Sequence, residues 1–309
     1  MKALFYAVAH KLRNDGRGQD LVEYALIAGF VIATAGGVLF GPALTSVLAI
    51  DDDRDSYLRL LRAERGQRAP AARAEPTRAP LAYENKKYLD GPEGRILRIL
   101  AEYLEPFAHF RREKVRDTVV FFGSARLLEM GPLGRYYNEA RELARRLTAW
   151  SESLHHTNRR FVVCSGGGPG IMEAANRGAF ESGDQTIGFN ISLPREQHPN
   201  PYISPGLSFR FHYFALRKMH FMLRARAIVA YPGGFGSFDE LFEVLTLIQT
   251  KKVVRIPVIL VGKSFWNEMV NFKQMVKFGV IDEDDMHIIH FVETAQEAWK
   301  LIQDWYQLA

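Results

Sequence analysis

The sequence predicts an α/β fold, a doubly wound and mostly parallel sheet covered by helices on both faces, and three observations predict it. Short continuous apolar runs recur at VVFF (Val119–Phe122), FVVC (Phe161–Cys164), TIGF (Thr186–Phe189), AIVA (Ala227–Ala230) and VILV (Val258–Val261). Strands that are apolar at every position are buried on both faces, as parallel strands are. Between them lie amphipathic stretches such as YYNEARELARRLTAW and FDELFEVLTLIQT, so strand and helix alternate as in βα units. Three of the strands run into turns of small or polar residues, and ligands of such sheets bind beyond the carboxyl ends of the strands.

Composition agrees with a globular protein. The 309 residues are 47% hydrophobic and 24% charged, enough for one large or two ordinary domains with a sizeable core. Lys+Arg 40 against Asp+Glu 35 leaves +5, spread along the chain without the long basic run that grips a phosphate backbone. Nucleic acid is therefore not an expected partner. The single cysteine, Cys164, excludes an internal disulfide and leaves no Cys/His pattern for zinc. With nothing basic beside it, Cys164 reads as a buried strand residue rather than a nucleophile.

The chain divides into three parts: residues 1–50, a linker at 51–87, and the α/β domain at 88–309. From Tyr24 to Ile50 there are 27 consecutive uncharged residues, which as a single helix would span roughly 40 Å, more than a bilayer core. Residues 21–50 are thus expected to associate with a membrane. Lys11, Arg13 and Arg17 precede the run and Arg54, Arg59, Arg62 and Arg65 follow it, so charge does not orient it. The stretch GQDLVEYALIAGF, Gly18–Phe30, resembles the start of Flp-type (type IVb) pilins, which are cut after a glycine with a glutamate five residues beyond; here these are Gly18 and Glu23. The Ala/Arg/Pro-rich RAERGQRAPAARAEPTRAP that follows has linker character.

The three turns are FFGSAR (Phe121–Arg126), CSGGGPGIMEAANRGA (Cys164–Ala179) and YPGGFGSFDE (Tyr231–Glu240). Glycine lets the main chain approach a ligand closely, and the N–H groups at a following helix N-terminus attract phosphate. One such turn is often only a tight connection; three in one sheet favour an anionic ligand of nucleotide size. Candidate binding residues are Gly123, Ser124 and Arg126 in the first turn, and Gly166, Gly167, Gly168 and Glu173 in the second. The third supplies Gly233, Gly234, Phe235, Gly236 and Ser237. Two other phosphate sites fail on detail. A dinucleotide fingerprint needs GxGxxG after the first strand, where GSAR stands, and an acid closing the next, where Asn190 stands. A P-loop needs GxxxxGK[ST], and VGKS at Val261–Ser264 has Pro257 in place of its first glycine.

GGGPGIMEAANRGA, the pair Arg217-Lys218 and PGGFGSFDE together resemble the LOG (Lonely Guy) family, long labelled lysine decarboxylases, whose signature is PGGxGTxxE with an upstream RK. The resemblance covers about Val115–Ala309, and Ser237 replaces the usual threonine while keeping its hydroxyl. It implies a Rossmann-like domain that hydrolyses the N-glycosidic bond of nucleoside 5'-monophosphates to free base and ribose 5-phosphate. No cofactor and no metal are implied, and a homodimer or higher homo-oligomer is. The stretches GFNISLP and LTLIQT resemble the bacterial branch, which favours AMP over a cytokinin-type nucleotide. Such a domain would face the cytoplasm, anchored through the N-terminal segment.

On this resemblance Glu240 and Arg217 are the expected catalytic residues. Cleavage of a ribosyl C1'–N bond passes through an oxocarbenium-like state, which a fixed carboxylate stabilises and water captures. The glycine turn would hold the 5'-phosphate while Glu240, one helical turn on, meets the sugar. Arg217 matches the family's essential arginine and stays charged, so it would clamp phosphate or steady negative charge on the departing base. Lys218 is a further binding candidate or a structural residue. Asp239 and Glu243 could assist Glu240, or serve as solvated helix-start acids. Arg224 and Arg226 suit an exposed basic face. The alternative to an enzyme is a non-catalytic nucleotide or cofactor carrier on the same fold.

Overall fold

The computed structural model describes residues 78–154, 157–193 and 198–306. The pilin-like stretch, the apolar run at residues 21–50 and most of the linker lie outside them. Among the described residues no helix is long and apolar enough to cross a membrane. Pro80–Ala309 forms one unit, and its first helix, α1 (Lys86–Asp90), begins within the last residues of the expected linker, where the Asn85 side chain caps it by accepting from Tyr88 N at 3.2 Å.

After α1 come α2 (Arg95–Arg112), β1 (Thr118–Phe122), α3 (Gly134–Ser153), β2 (Val162–Ser165), α4 (Ile171–Glu181), β3 (Ile187–Ile191), β4 (Ser208–Phe211) and α5 (Phe214–Leu223). They are followed by β5 (Ala225–Ala230), α6 (Phe235–Gln249), β6 (Val258–Val261), α7 (Lys263–Met269), α8 (Phe272–Lys277), β7 (Ile289–Val292) and α9 (Ala295–Tyr306). The strands form one seven-stranded sheet in the order β4-β3-β2-β1-β5-β6-β7, and every neighbouring pair is parallel. The doubly wound α/β prediction holds.

Each of the five expected strands is found, its bounds moved by two residues at most. β4 and β7 were not anticipated, and both are edge strands. In β4, Ser208 and Arg210 are exposed while Phe209 and Phe211 are buried; a strand with one wet face shows alternation over only four residues, too few to stand out. In β7 a histidine, His290, interrupts the apolar run.

Alternation within the central strands divides the core in two. Val120, Phe122, Cys164, Phe189, Ile228 and Leu260 face Phe110 of α2, Phe221 of α5 and Leu241 and Val244 of α6. Val119, Phe121, Val163, Val229 and Ile259 face Leu143 and Leu147 of α3, Ile171 and Ala175 of α4 and Ile302 of α9. Each large apolar side chain taken out of water in these layers contributes about 1.5–3 kcal/mol. The chain leaves one edge of the sheet at β4 and re-enters beside β1 at β5. That reversal opens a crevice at the carboxyl ends of β1 and β5.

Candidate functional site

The three turns meet at this crevice. Ser124 N donates to Pro232 O at 3.1 Å, and Ser124 O accepts from Ile171 N at 3.1 Å, so the turn after β1 is stitched both to the turn after β5 and to the start of α4. Ser124 Oγ is turned onto its own loop, accepting from Arg126 N at 3.0 Å, and the Arg126 side chain is exposed. Gly123 abuts the side chain of Ile171. In the third turn Gly234, Phe235 and Gly236 are exposed and Ser237 is buried. α6 begins at Phe235 with no side-chain cap, so the N–H groups of its first turn have no partner within the helix and point outward with the positive end of the macrodipole.

The second turn, Gly166–Gly170, is held from below. Asn176 Oδ1 accepts from Ser165 Oγ at 2.6 Å and from Asn200 Nδ2 at 2.9 Å, and Asn176 Nδ2 donates to Ile187 O at 3.1 Å and to Thr186 Oγ1. Ser165 Oγ accepts from Gly167 N at 3.0 Å, and Asn200 donates from its backbone N to Gly167 O at 2.8 Å and from Nδ2 to Gly168 O at 3.0 Å. Glycine is required at two places here. Gly170 has φ +69°, and a methyl group on it would lie 2.4 Å from Ser124 O; Gly167 has φ +73°, and a methyl group would lie 2.6 Å from Asn190 Nδ2. Asn190 itself is 6% exposed, and its Nδ2 is buried without a partner.

The chemistry sits where α5 meets α6. Arg217 Nη2 donates to Glu240 Oε1 at 2.5 Å, and both side chains are 12% exposed. The guanidinium lies 5.6 Å from the ring centre of Phe214 and 5.5 Å from that of Phe221. A methyl group on Gly166 would come within 3.8 Å of Arg217 Nη1, so the pair borders the second turn as well as the third. Arg217 Nε is buried without an acceptor. Burial pushes the Glu240 carboxyl up to about 7, against the pull of Arg217 and Lys218 and with the repulsion of Asp239. One residue on from Arg217, Lys218 Nζ lies 2.8 Å from Glu243 Oε2 and 3.2 Å from Asp239 Oδ1. Phe122, Lys218, Phe221, Met222, Glu240, Glu243 and Val244 line a small cleft between the two helices.

Several residues singled out from the sequence have structural partners. Glu173 accepts from Tyr137 Oη of α3 at 3.0 Å, which ties α4 to α3. Asp239 and Glu243 are bound to Lys218 rather than to Arg217. Arg224 donates to Arg116 O at 3.2 Å, and Arg226 Nε lies 3.7 Å from the buried Asp117. Cys164 is fully buried in β2, and burial raises its thiol well above the usual range. His220 of α5, which no sequence motif marked, is enclosed by the rings of Tyr103, Phe107, Phe189 and Phe211, and burial pushes it down to about 4.

Sequence reasoning missed the support beneath these groups. Asn176 stands inside the quoted motif, and an amide in the small-residue run EAANRGA was the available signal. Asn200 and Glu102 offered none. Glu102 of α2 accepts from His212 N at 2.9 Å and Tyr213 N at 3.2 Å, and so fixes the start of the helix that carries Arg217.

A family model described as "Possible lysine decarboxylase" matches residues 172–302, a span that holds Arg217, Lys218, the third turn and Glu240. The cytokinin riboside 5'-monophosphate phosphoribohydrolase LOG of Oryza sativa subsp. japonica is 30% identical over 191 residues, which are 60% of this chain and 72% of that protein. The Arabidopsis thaliana cytokinin riboside 5'-monophosphate phosphoribohydrolase LOG1 is 27% identical over 147 residues, 47% of this chain and 68% of that one. Among solved structures, the Moco carrier protein from Chlamydomonas reinhardtii is 18% identical with a TM-score of 0.43, over 63% of this chain and 99% of that one.

Proposed function

The chain belongs to the LOG family of phosphoribohydrolases, and we propose that it hydrolyses the N-glycosidic bond of purine nucleoside 5'-monophosphates, AMP first among them, to free base and ribose 5-phosphate. The observation that carries this reading is the buried Arg217–Glu240 pair beside an uncapped helix start at the sheet's crevice. The first turn of α6, from Phe235 to Ser237, takes the 5'-phosphate on free N–H groups and the helix dipole. Glu240 stands one turn deeper, and its carboxylate faces the ribose where positive charge develops.

In the reaction the C1'–N bond breaks with its electron pair going to the base, which takes a proton from solvent. Water adds to C1', and its proton passes to Glu240. A carboxyl that titrates at about 7 suits both halves of that task, since it is ionised often enough to oppose the cation and basic enough to accept the proton. Arg217 keeps Glu240 oriented through Nη2, and its other terminal nitrogen, Nη1, which borders the second turn at Gly166, meets the phosphate or the charge on the departing base.

A lysine decarboxylase chemistry through Lys218 is disfavoured. Such a reaction needs a lysine amine as a nucleophile, and the contact with Glu243, together with that to Asp239, raises Lys218 above its ordinary value and keeps it protonated. Incubation of the full chain with a panel of nucleoside monophosphates, followed by chromatography for free base, tests the proposal. AMP should yield adenine. Binding of nucleotides with no base released from any would support a carrier instead.

A further inference from the structure

Lys218 stands next to Arg217 in sequence, yet its ammonium is committed to two carboxylates that flank Glu240 on α6. The distances are 2.8 Å to Glu243 and 3.2 Å to Asp239. Around Glu240 the charged groups are Arg217 and Lys218 from α5 and Asp239 and Glu243 from its own helix, and the Cys164 thiol of β2, also titratable, is kept neutral by burial. The remaining lining, Phe122, Phe221, Met222 and Val244, is apolar. Two carboxylates, Glu240 and Glu243, thus line the cleft beside Lys218, where like charges interact more strongly than in water, and the exposed Asp239 adds a third at its rim.

We propose that Lys218 is a positioning residue, which neutralises Asp239 and Glu243 so that Glu240 can stay ionised and hold its place against Arg217. This rests on the reading of Glu240 as the carboxylate that meets the sugar. Without Lys218 the charges of Glu243 and Asp239 would be left uncompensated beside Glu240, and the cheapest relief would be a proton on the most buried of the three, Glu240. The side chain of Lys218 is 21% exposed, and its ammonium donates to Asp239 and is ion-paired with Glu243, which suits a charge carrier better than a ligand contact.

The test is a direct titration of Glu240 in the full chain, labelled at the glutamate side-chain carboxyl carbon, with its ¹³C resonance identified by its loss in Glu240→Gln. Lys218→Met should raise the Glu240 midpoint by about one pH unit, the lower end of what a neighbouring opposite charge does. The acidic limb of kcat on AMP should move with it, so that activity falls several-fold at pH 7 and recovers at higher pH. Lys218→Arg should restore the wild-type midpoint. So should the double variant Lys218→Met/Glu243→Gln, which removes one charge of each sign. Should Lys218→Met not fold, Glu243→Gln alone should lower the midpoint. A midpoint unmoved in Lys218→Met or in Glu243→Gln would overturn the proposal. So would a loss of activity that is equal at all pH values and not relieved by the double variant, because that is the behaviour of a substrate contact. A wild type that releases no base would instead refute the functional reading, with the titration still deciding the role of Lys218.

Discussion

Lowering the pH from 8 to 6 should slow base release from AMP about tenfold. The carboxyl of Glu240, 12% exposed and lifted by burial, titrates at about 7, so its ionised fraction falls from about nine-tenths at pH 8 to about one-tenth at pH 6. The AMP phosphate takes up its own proton near pH 6. The limb should therefore be read from kcat, which reports the ionisations of the bound complex, rather than from kcat/KM. The same shift predicts a stability effect. Because the folded-state value lies above the ordinary 4.5 of a glutamate, the folded chain holds an extra proton between about 4.5 and 7. Stability from this group is full below that window and is lost as the pH rises through it. Relative to wild type, Glu240→Gln should therefore gain on the order of 2 kcal/mol between pH 5 and pH 8, measured by denaturant unfolding at each pH. A kcat that stays flat from pH 6 to 8 would refute the assignment of Glu240 as the ionised group in the transition state. A pH-independent stability difference would refute its burial as the cause.

Glu240→Gln at pH 8 should lose on the order of a hundredfold to a thousandfold in kcat while nucleotide binding is spared, because the amide keeps the shape and loses the charge. Arg217→Ala should cripple turnover and also weaken binding in a calorimetric titration, since its guanidinium borders the second turn at Gly166. Wild type should process adenosine far more slowly than AMP, because adenosine lacks the group assigned to the first turn of α6; equal rates would displace the phosphate from that turn. Gly170→Ala should cost about 1–3 kcal/mol from the φ of +69° alone, and more from the approach to Ser124 O. It should lower the thermal midpoint by several degrees and loosen the contact between the first and second turns.

Local chemistry dictates a good part of this fold, and that part is legible in the order of the residues. Strands buried on both faces must be apolar throughout, so the five central strands were visible in VVFF, FVVC, TIGF, AIVA and VILV. Turns that approach a ligand need glycine, so GGGPG and PGGFG marked the crevice, and the spacing from Gly236 to Glu240 put the carboxylate one turn into α6. The two edge strands escaped notice because half of β4 faces water over only four residues and a histidine breaks the apolar run of β7. Tertiary structure alone decided which charges face one another. Arg217 and Lys218 are adjacent in sequence, but side chains one residue apart on a helix point about 100° apart, so the first meets Glu240 and the second meets Asp239 and Glu243. Glu102 and Asn200 support the site from positions with no local signature, since a carboxylate that caps a helix over a hundred residues away, or an amide beneath a distant turn, is specified by the packing of the whole chain. The charge state of Glu240 belongs to the same class, because burial sets it and burial is a property of the fold.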